Sequence, residues 1–183
     1  QAATDGVRKL LVHWVDQAAQ AECVLIHIRG RASACVSSQV GCPVGCRFCA
    51  SGLGGLDGNL TAAQIVEQVW LLDEISRSPL LHAGSKQDSS PAGVTHVVFM
   101  GMGEPFLNYR NTIAAADLLH HPKGINLGAR RITISTTGII PKIYQFTDEK
   151  QPYKLAISLN GSTHNQRLKT MPITQKHTLN DLL

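Results

Sequence analysis

The chain has 183 residues, of which 43% are hydrophobic and 16% are charged, and its formal net charge is +4. A chain of this size can bury one substantial core, and no apolar run approaches the ~20 residues of a membrane span, which excludes membrane-spanning classes. Lys and Arg lie in small scattered groups, so charge alone supports binding to a polyanion such as RNA only weakly. Because no segment resembles a secretory signal, we expect a cytoplasmic protein that does not bind membranes.

A β-hairpin is predicted at the start of the chain. Residues 7–15 and 22–28 are apolar, β-branched runs separated by a polar turn. The next strand is predicted at residues 34–38. We therefore divide the chain into a leading hairpin, residues 1–30, and a core, residues 31–183.

Strands and helices alternate along the rest of the chain. Thr61 and Gln64 form a capping box at the start of a helix that runs to about residue 76, and a polar surface loop follows at 78–93. The later elements are strands at 94–100, 131–135 and 154–159, and helices at 108–121, from 140 and from 178. This alternation predicts an α/β fold with a parallel sheet and right-handed crossovers.

The most informative motif is a group of three cysteines. Cys42, Cys46 and Cys49 have the spacing C-x₃-C-x₂-C within the segment VGCPVGCRFCASG. A short loop with three thiolates can hold three irons of a cubane cluster that normally takes four cysteines, so the fourth iron stays free for a ligand. An open metal position is a reactive position. Phe48, between the last two cysteines, either shields the cluster from water or packs in the core.

Zinc and disulfides are the alternatives to a cluster. A closed zinc site needs a fourth ligand and usually a second pair of ligands, and neither Cys23, Cys35 nor the eight histidines supply one. Disulfides are disfavoured because the three thiols are crowded and lack a framework of distant partners. A non-catalytic zinc or iron-sulfur module nevertheless stays open as a function of another class.

The residues around the cysteines resemble the cluster loop of the radical S-adenosylmethionine (SAM) superfamily. Within it, the run ACVSSQVGCPVGCRFCASG at 34–52 resembles the family that methylates C2 of adenine in 23S rRNA and tRNA. The resemblance implies a 4Fe-4S cluster whose free iron chelates the amino and carboxylate groups of SAM. Electron transfer from the cluster then splits the sulfonium to a 5′-deoxyadenosyl radical. It also implies that the sheet curves into a partial (β/α)₆ barrel.

In barrels of this type the active site lies at the carboxyl ends of the strands, and the remaining motifs follow predicted strands. The run VVFMGMGEPFLNY resembles the same family, and so do ITISTTGIIP and LAISLNG. The resemblance implies SAM contacts at Gly103, Glu104, Ser135, Ser158, Leu159 and Asn160. Glycines let the backbone come close to a ligand, and a carboxylate can accept hydrogen bonds from an ammonium group. Asn160 departs from a histidine that is frequent in the family, and asparagine cannot titrate near neutral pH.

Two further residues are candidates for proton transfer. Cys35 lies seven positions before Cys42, and its spacing alone favours a buried structural cysteine, whereas the resemblance implies that it helps to resolve a covalent adduct with RNA. Glu22 is placed at the start of the strand at 22–28. It matches the proton acceptor of the family, and the alternative is a solvated carboxylate at a strand end. Cys23 carries no motif and is expected to pack in the core.

The resemblance also implies a methyl-carrying cysteine near the C-terminus, and no cysteine follows Cys49. The chain begins with Gln1 and ends in a predicted helix at Leu183. The hairpin and roughly four β/α units are too few to close the barrel. We therefore expect a central fragment of the family that binds a cluster and SAM but does not transfer methyl groups alone.

The expected partners follow from the same resemblance. They are RNA, either 23S rRNA or tRNA or both, and an electron donor such as flavodoxin or ferredoxin. The full-length protein is expected to be a monomer. A radical SAM enzyme that acts on a peptide or a small metabolite is the alternative with the same chemistry, and it would lack salt-dependent RNA binding.

Overall fold

The computed structural model describes residues 7–15, 19–28, 30–78 and 93–183. Its strands are β1 (Arg8–Trp14), β2 (Ala19–Ile28), β3 (Arg31–Cys35), β4 (Gln39–Gly41), β5 (Leu56–Asn59), β6 (His96–Phe99), β7 (Ile132–Thr136) and β8 (Lys154–Ile157). Its α-helices are α1 (Ala62–Arg77), α2 (Tyr109–His120), α3 (Ile140–Asp148), α4 (His164–Thr170) and α5 (Leu179–Leu182). Residues 16–18 of the predicted polar turn and residues 79–92 of the predicted surface loop lie outside the described residues.

Six strands form one mixed sheet in the order β1-β2-β3-β6-β7-β8. The pairs β1-β2 and β2-β3 are antiparallel, and the pairs β3-β6, β6-β7 and β7-β8 are parallel. Among the described strands the sheet is open, with β1 and β8 at its edges. The predicted hairpin and the predicted α/β class with an incomplete parallel barrel are confirmed. We retain the domain boundary at residue 30 as a proposal.

Two strands that the sequence did not predict bracket the cysteine segment. β4 pairs with β5 in a separate antiparallel sheet, with Gln39 opposite Asn59. Gly41 lies in the left-handed region at φ +74°, and a Cβ there would approach the carbonyl oxygen of Gly55 to 2.1 Å. Three-residue and four-residue strands rich in glycine carry no periodic pattern, which is why sequence analysis missed them.

Several predicted strand bounds differ in the structure. The strand predicted at 34–38 is β3, which ends at Cys35, because Ser38 already donates to the carbonyl of Met102 in the next loop. The strand predicted to end at 159 is β8, which ends at Ile157. β2 begins at Ala19 and not at residue 22. Glu22 is therefore inside β2 and does not open it, since its pairing with Leu11 extends the ladder on both sides.

One face of the large sheet is buried, and α1 lies on it. Along β3, Ala32 and Ala34 are buried, whereas Ser33 and Cys35 are partly exposed, as the two-residue period of a strand requires. α1 packs against β2, β3 and α2. Cys23, on the helix-facing side of β2, is fully buried, which confirms its predicted place in the core.

The capping box predicted for α1 is confirmed. Thr61 Oγ1 accepts from the Gln64 N–H at 3.2 Å, and Gln64 Oε1 accepts from the Thr61 N–H at 2.9 Å. Ile65 and Leu72 are fully buried, but Trp70 is 54% exposed because it lies about 140° around the helix from Ile65.

The later helices follow the prediction with one exception. α2 and α3 occur where they were predicted, and α5 begins after Thr178, whose side chain accepts from the Asp181 N–H. The sequence did not predict α4, a seven-residue helix in the polar run after β8. None of the helices in the described ranges is long and apolar enough to cross a membrane.

Candidate active site

A cavity of about 390 Å³ lies at the carboxyl ends of β6, β7 and β8, next to the cysteine segment. The predicted site residues that line it are Cys42, Cys46, Cys49, Gly103, Glu104, Ser135, Ser158 and Asn160. Residues separated by more than a hundred positions thus meet in one space, because parallel strands present their carboxyl ends at one edge of the sheet.

Three predicted site residues do not line this cavity. The Cys35 sulfur, at the end of β3, accepts a hydrogen bond from the backbone of Met100. Met100 itself lines the cavity. Leu159 is 41% exposed and its carbonyl oxygen accepts a hydrogen bond from Arg167. Glu22 pairs with Lys9 at 2.6 Å on β1.

Backbone hydrogen bonds hold the cysteine loop in place. The Cys42 N–H donates to the carbonyl of Gly55 at 2.7 Å, which ties the start of the loop to the segment before β5. The Arg47 N–H donates to the carbonyl of Thr170 at 2.9 Å, at the end of α4. Phe48 lines the cavity and is 59% exposed, so it does not pack in the core.

Two of these thiols, Cys42 and Cys46, have raised pKa values. Burial, followed by the proximity of Cys42, Cys49 and Glu104, raises the pKa of Cys46 to about 11, and Arg167 acts in the opposite direction. Burial, with Glu104 and Cys49, also raises the pKa of Cys42. These thiols are therefore protonated at neutral pH without a metal, and metal binding must release their protons.

The three cysteines suit a cluster better than a single ion. Within the described ranges, no three side chains of His, Cys, Asp or Glu converge closely enough to hold one metal ion. In a cubane cluster each cysteine binds a different iron, so the three sulfurs need not meet at one point. Closed zinc sites need four converging ligands. The donor set, three free thiols along one cavity, therefore fits a cluster with an open iron.

Glu104 is almost fully buried, at 1% exposure, and both of its carboxylate oxygens accept backbone hydrogen bonds. Oε1 accepts from the Phe106 N–H at 2.9 Å, and Oε2 accepts from the Thr137 N–H at 2.7 Å. The Glu104 N–H donates to Gln39 Oε1 at 2.8 Å, and Gln39 Nε2 donates to Asn59 Oδ1 at 2.7 Å. A chain of polar contacts therefore connects the small sheet to the end of β7.

Gly103 is the one position in this loop where a positive φ and a close approach coincide. Its φ is +97°, and a Cβ there would lie 2.6 Å from the Cβ of Gln39. A side chain at this position would displace Gln39, which holds the backbone of Glu104. The glycine is thus required by the packing of the cavity wall.

The ends of β7 and β8 contribute hydroxyl and amide groups. The Ser135 and Ser158 hydroxyls are 3.3 Å apart and share a hydrogen bond. Asn160 lies in the left-handed region at φ +49°, a conformation that asparagine tolerates better than most residues, and its Nδ2 is 3.5 Å from the sulfur of Met171. These groups add polar atoms to the cavity lining.

The family model for the radical SAM superfamily matches residues 36–183. The chain belongs to the radical SAM superfamily. The superfamily predicted from the cysteine motif is therefore confirmed.

Relatives of this radical SAM chain carry a common name. A protein of Thermotoga neapolitana, named probable dual-specificity RNA methyltransferase RlmN, is 43% identical over 180 residues, which are 98% of this chain and 48% of the relative. A protein of the same name from Bacillus subtilis is 41% identical and covers 100% of this chain and 47% of the relative. The chain spans about half the length of the curated relatives it matches. The predicted resemblance to RNA methyltransferases of this type is confirmed.

A solved structure has the same fold as the radical SAM chain. The crystal structure of a radical SAM methyltransferase from Sphaerobacter thermophilus superposes with a TM-score of 0.87 at 39% identity, covering 100% of this chain and 50% of that chain. The likeness extends over the hairpin, the large sheet and the cysteine segment. The α/β fold of the radical SAM type is therefore confirmed.

Three residues of this candidate site were not predicted from the sequence. Gln39 holds the backbone of Glu104, Met171 lines the cavity, and Arg167 binds the backbone at the ends of β7 and β8. An arginine in the polar run NQRLKT gives no sequence signal of burial. Gln39 lies three residues before Cys42, within the same run as the cysteine motif. This proximity in sequence is the signal that could have identified Gln39.

Proposed function

We propose that this chain is the cluster-binding and SAM-binding part of an enzyme that methylates C2 of adenine in 23S rRNA, tRNA or both. The observation that carries the proposal is that three cysteines and the polar ends of three parallel strands line one cavity. The names of the relatives support an RNA substrate. An electron donor such as flavodoxin or ferredoxin completes the set of partners.

Cys42, Cys46 and Cys49 hold three irons of a 4Fe-4S cluster in this proposal. When bound, the cluster supplies the electron for reductive cleavage of SAM. The thiols lose their protons as iron binds, and the buried setting that raises the pKa of Cys42 and Cys46 then strengthens their interaction with the metal charge. Phe48 covers part of the cavity beside these ligands.

The other residues that line the cavity bind SAM in this proposal. Each carboxylate oxygen of Glu104 accepts one backbone hydrogen bond and keeps a further lone pair, so Glu104 can also accept from the ammonium group of SAM. Gly103 leaves room for the methionine end to approach the backbone. The remaining contacts are proposed at Ser135, Ser158, Leu159 and Asn160.

Cys35 and Glu22 lie on the same face of the large sheet. Cys35 pairs with Val24 across β2 and β3, and Glu22 lies two residues before Val24, so their side chains share one side of the sheet. Burial raises the pKa of Cys35, and a thiol that is protonated at neutral pH can donate a proton when a covalent adduct is resolved. We propose Glu22, held by Lys9, as the proton acceptor.

Methyl transfer by this chain alone is not part of the proposal. The resemblance assigns the methyl group to a cysteine near the C-terminus of the family, and no cysteine follows Cys49 here. The activity proposed for the chain itself is binding of the cluster and of SAM.

Anaerobic reconstitution with iron and sulfide, followed by electron paramagnetic resonance of the reduced protein, tests the proposal. We expect a cubane signal that changes when SAM is added. Cys46→Ala is expected to abolish the signal. Cys23→Ala is the matched control, because Cys23 is buried on the helix-facing side of β2, and it should leave both signal and SAM response unchanged.

Other outcomes separate the alternatives. Uptake of zinc in place of iron, or a cluster signal that ignores SAM, would contradict the radical SAM role of this cavity. Binding of tRNA is then measured at several salt concentrations. Affinity that falls steeply with salt supports an RNA substrate, whereas absence of tRNA binding favours a peptide or a small metabolite.

A further inference from the structure

Arg167, on α4, is fully buried, and its guanidinium binds backbone carbonyls at the carboxyl ends of two strands. Nη1 donates to the carbonyl of Ser158 at 2.6 Å and to that of Leu159 at 2.5 Å, and Nη2 donates to the carbonyl of Thr137. One side chain therefore joins the segments that follow β7 and β8. Both segments contribute to the wall of the cavity.

The positive charge of Arg167 has no anion beside it within the part of the chain that the structure describes. No carboxylate there forms a salt bridge with Arg167, and Nε is buried without a hydrogen-bond partner. Burying an unpaired cation is costly, and buried charges are normally paired or placed near metals. The arrangement therefore needs a negative group that binds nearby.

The cysteine loop brings such a group next to α4. The Arg47 N–H donates to the carbonyl of Thr170, one helical turn after Arg167, so the loop that carries the cysteines is docked on this helix. Arg167 also lies close enough to Cys46 for the charges of the two side chains to interact. Three cysteine ligands carry three negative charges once they are deprotonated by metal.

We propose that Arg167 is a positioning residue with two tasks: its buried guanidinium balances the negative charge of the cluster on the three cysteines, and it holds the Thr137, Ser158 and Leu159 backbone in the shape that binds SAM. This inference rests on the proposed function, because it requires that the cavity takes a cluster and SAM. It adds a residue to which sequence analysis assigned no role.

The two tasks depend on different properties of the side chain, namely its positive charge and its planar shape. A positive charge near the cluster favours the reduced form, so its loss shifts the reduction potential to more negative values. Binding three carbonyls at once needs the planar fork of arginine, which lysine lacks. Lysine therefore restores the charge without restoring the backbone contacts.

The test compares Arg167→Lys and Arg167→Gln with the wild-type chain after anaerobic reconstitution. The reduction potential is measured by electron paramagnetic resonance at controlled potentials, and SAM affinity is measured from the change in the signal. We expect the potential to become more negative in Arg167→Gln and to stay near the wild-type value in Arg167→Lys. SAM affinity is expected to fall by about tenfold in both, because both lose carbonyl contacts.

Arg131→Gln is the matched control. Arg131 is exposed and precedes β7, at the end of the sheet opposite the cavity, so its substitution should change neither quantity. If Arg167→Gln does not fold, Arg167→Met is measured in its place, since an apolar chain of similar length often replaces a buried charge without loss of stability.

Each outcome points to one conclusion. An unchanged potential in the uncharged variant overturns the charge-balancing task, and unchanged SAM affinity in both variants overturns the positioning task. If the wild-type chain takes up no cluster, or its cluster ignores SAM, the proposed function itself fails and this inference fails with it. If the wild-type cluster responds to SAM and neither substitution changes the reduction potential or the SAM affinity, the proposed function stands and only the role of Arg167 is rejected.

Discussion

Glu104 Oε2 accepts a 2.7 Å hydrogen bond from the backbone N–H of Thr137, so a carboxylate after β6 holds the end of β7. The second oxygen accepts from the Phe106 N–H in its own loop. The residue proposed to bind the ammonium group of SAM is thus also a structural part of the cavity wall. Ligand affinity and stability are coupled at this position.

Glu104→Gln is expected to lower the free energy of unfolding by about 2 kcal/mol, because the amide keeps one acceptor oxygen where two buried N–H groups need one each. The midpoint of urea unfolding measures the effect on the chain before reconstitution.

The control for Glu104→Gln is Glu74→Gln on the exposed side of α1, for which we expect a change within about 0.5 kcal/mol. Equal midpoints for the wild type and Glu104→Gln would show that the two backbone contacts do not stabilise the fold.

Gly103→Ala is expected to destabilise the chain by about 1–3 kcal/mol, because φ at this position is positive and the new Cβ would lie 2.6 Å from the Cβ of Gln39. The displaced Gln39 also releases the Glu104 N–H, so the response of the reconstituted cluster to SAM should weaken. Thermal unfolding and the resonance titration measure the two effects.

Gly54→Ala is the matched control, because an added Cβ there meets open space and the residue is exposed. A Gly103→Ala protein as stable as this control would mean that the loop can shift to accept a side chain.

Asn108→Asp is expected to lower the free energy of unfolding by about 3 kcal/mol or more, because a hydrogen-bond donor is replaced by a charged acceptor in a buried position. Asn108 Nδ2 donates to the carbonyls of Ser38 and Leu60, each at 2.7 Å, and no N–H group remains on aspartate to bind them. Urea unfolding measures the loss. Asn165→Asp, an exposed change on α4, should be nearly neutral, and a similarly small effect at Asn108 would contradict the buried geometry.

His96 is expected to make the fold less stable in acid. Burial, followed by the positive charges of Arg31, Arg131 and Lys154, lowers the pKa of His96 below its ordinary value of about 6.5. Between the lowered pKa and about 6.5 the unfolded chain binds a proton that the folded chain does not, so stability rises with pH through this range and is lost as pH falls. Urea midpoints at pH 7.5 and pH 5.5 measure the difference.

His96→Gln should flatten this dependence between the two pH values. Burial also lowers the pKa of His177, so part of the acid sensitivity will remain. His13→Gln, at an exposed position on β1, serves as the control. A wild-type slope retained in His96→Gln would show that other groups carry the effect.

Local patterns predicted most of the fold. The capping box at Thr61, the apolar runs of β2, β6 and β7 and the alternation of strands with helices are short-range features, and each is present in the structure. The segment around Cys42, Cys46 and Cys49 indicated the superfamily by its resemblance for the same reason, since one loop carries all three residues. Elements without a periodic pattern, namely β4, β5 and α4, were not predictable from propensity.

In the candidate site, too, the residues in short contiguous motifs were predictable and the long-range contacts were not. The sequence by itself determined the cysteine loop, the Gly-Glu-Pro turn and the polar ends of β7 and β8, because each is a contiguous motif. Only the tertiary structure decided that Arg167 is buried against Ser158 and Thr137, that Gln39 holds Glu104, and that the cavity lining includes Ser158 and Asn160 but not Leu159. These contacts join residues far apart in the chain, and their free energy comes from burial and charge that exist only once the strands are side by side.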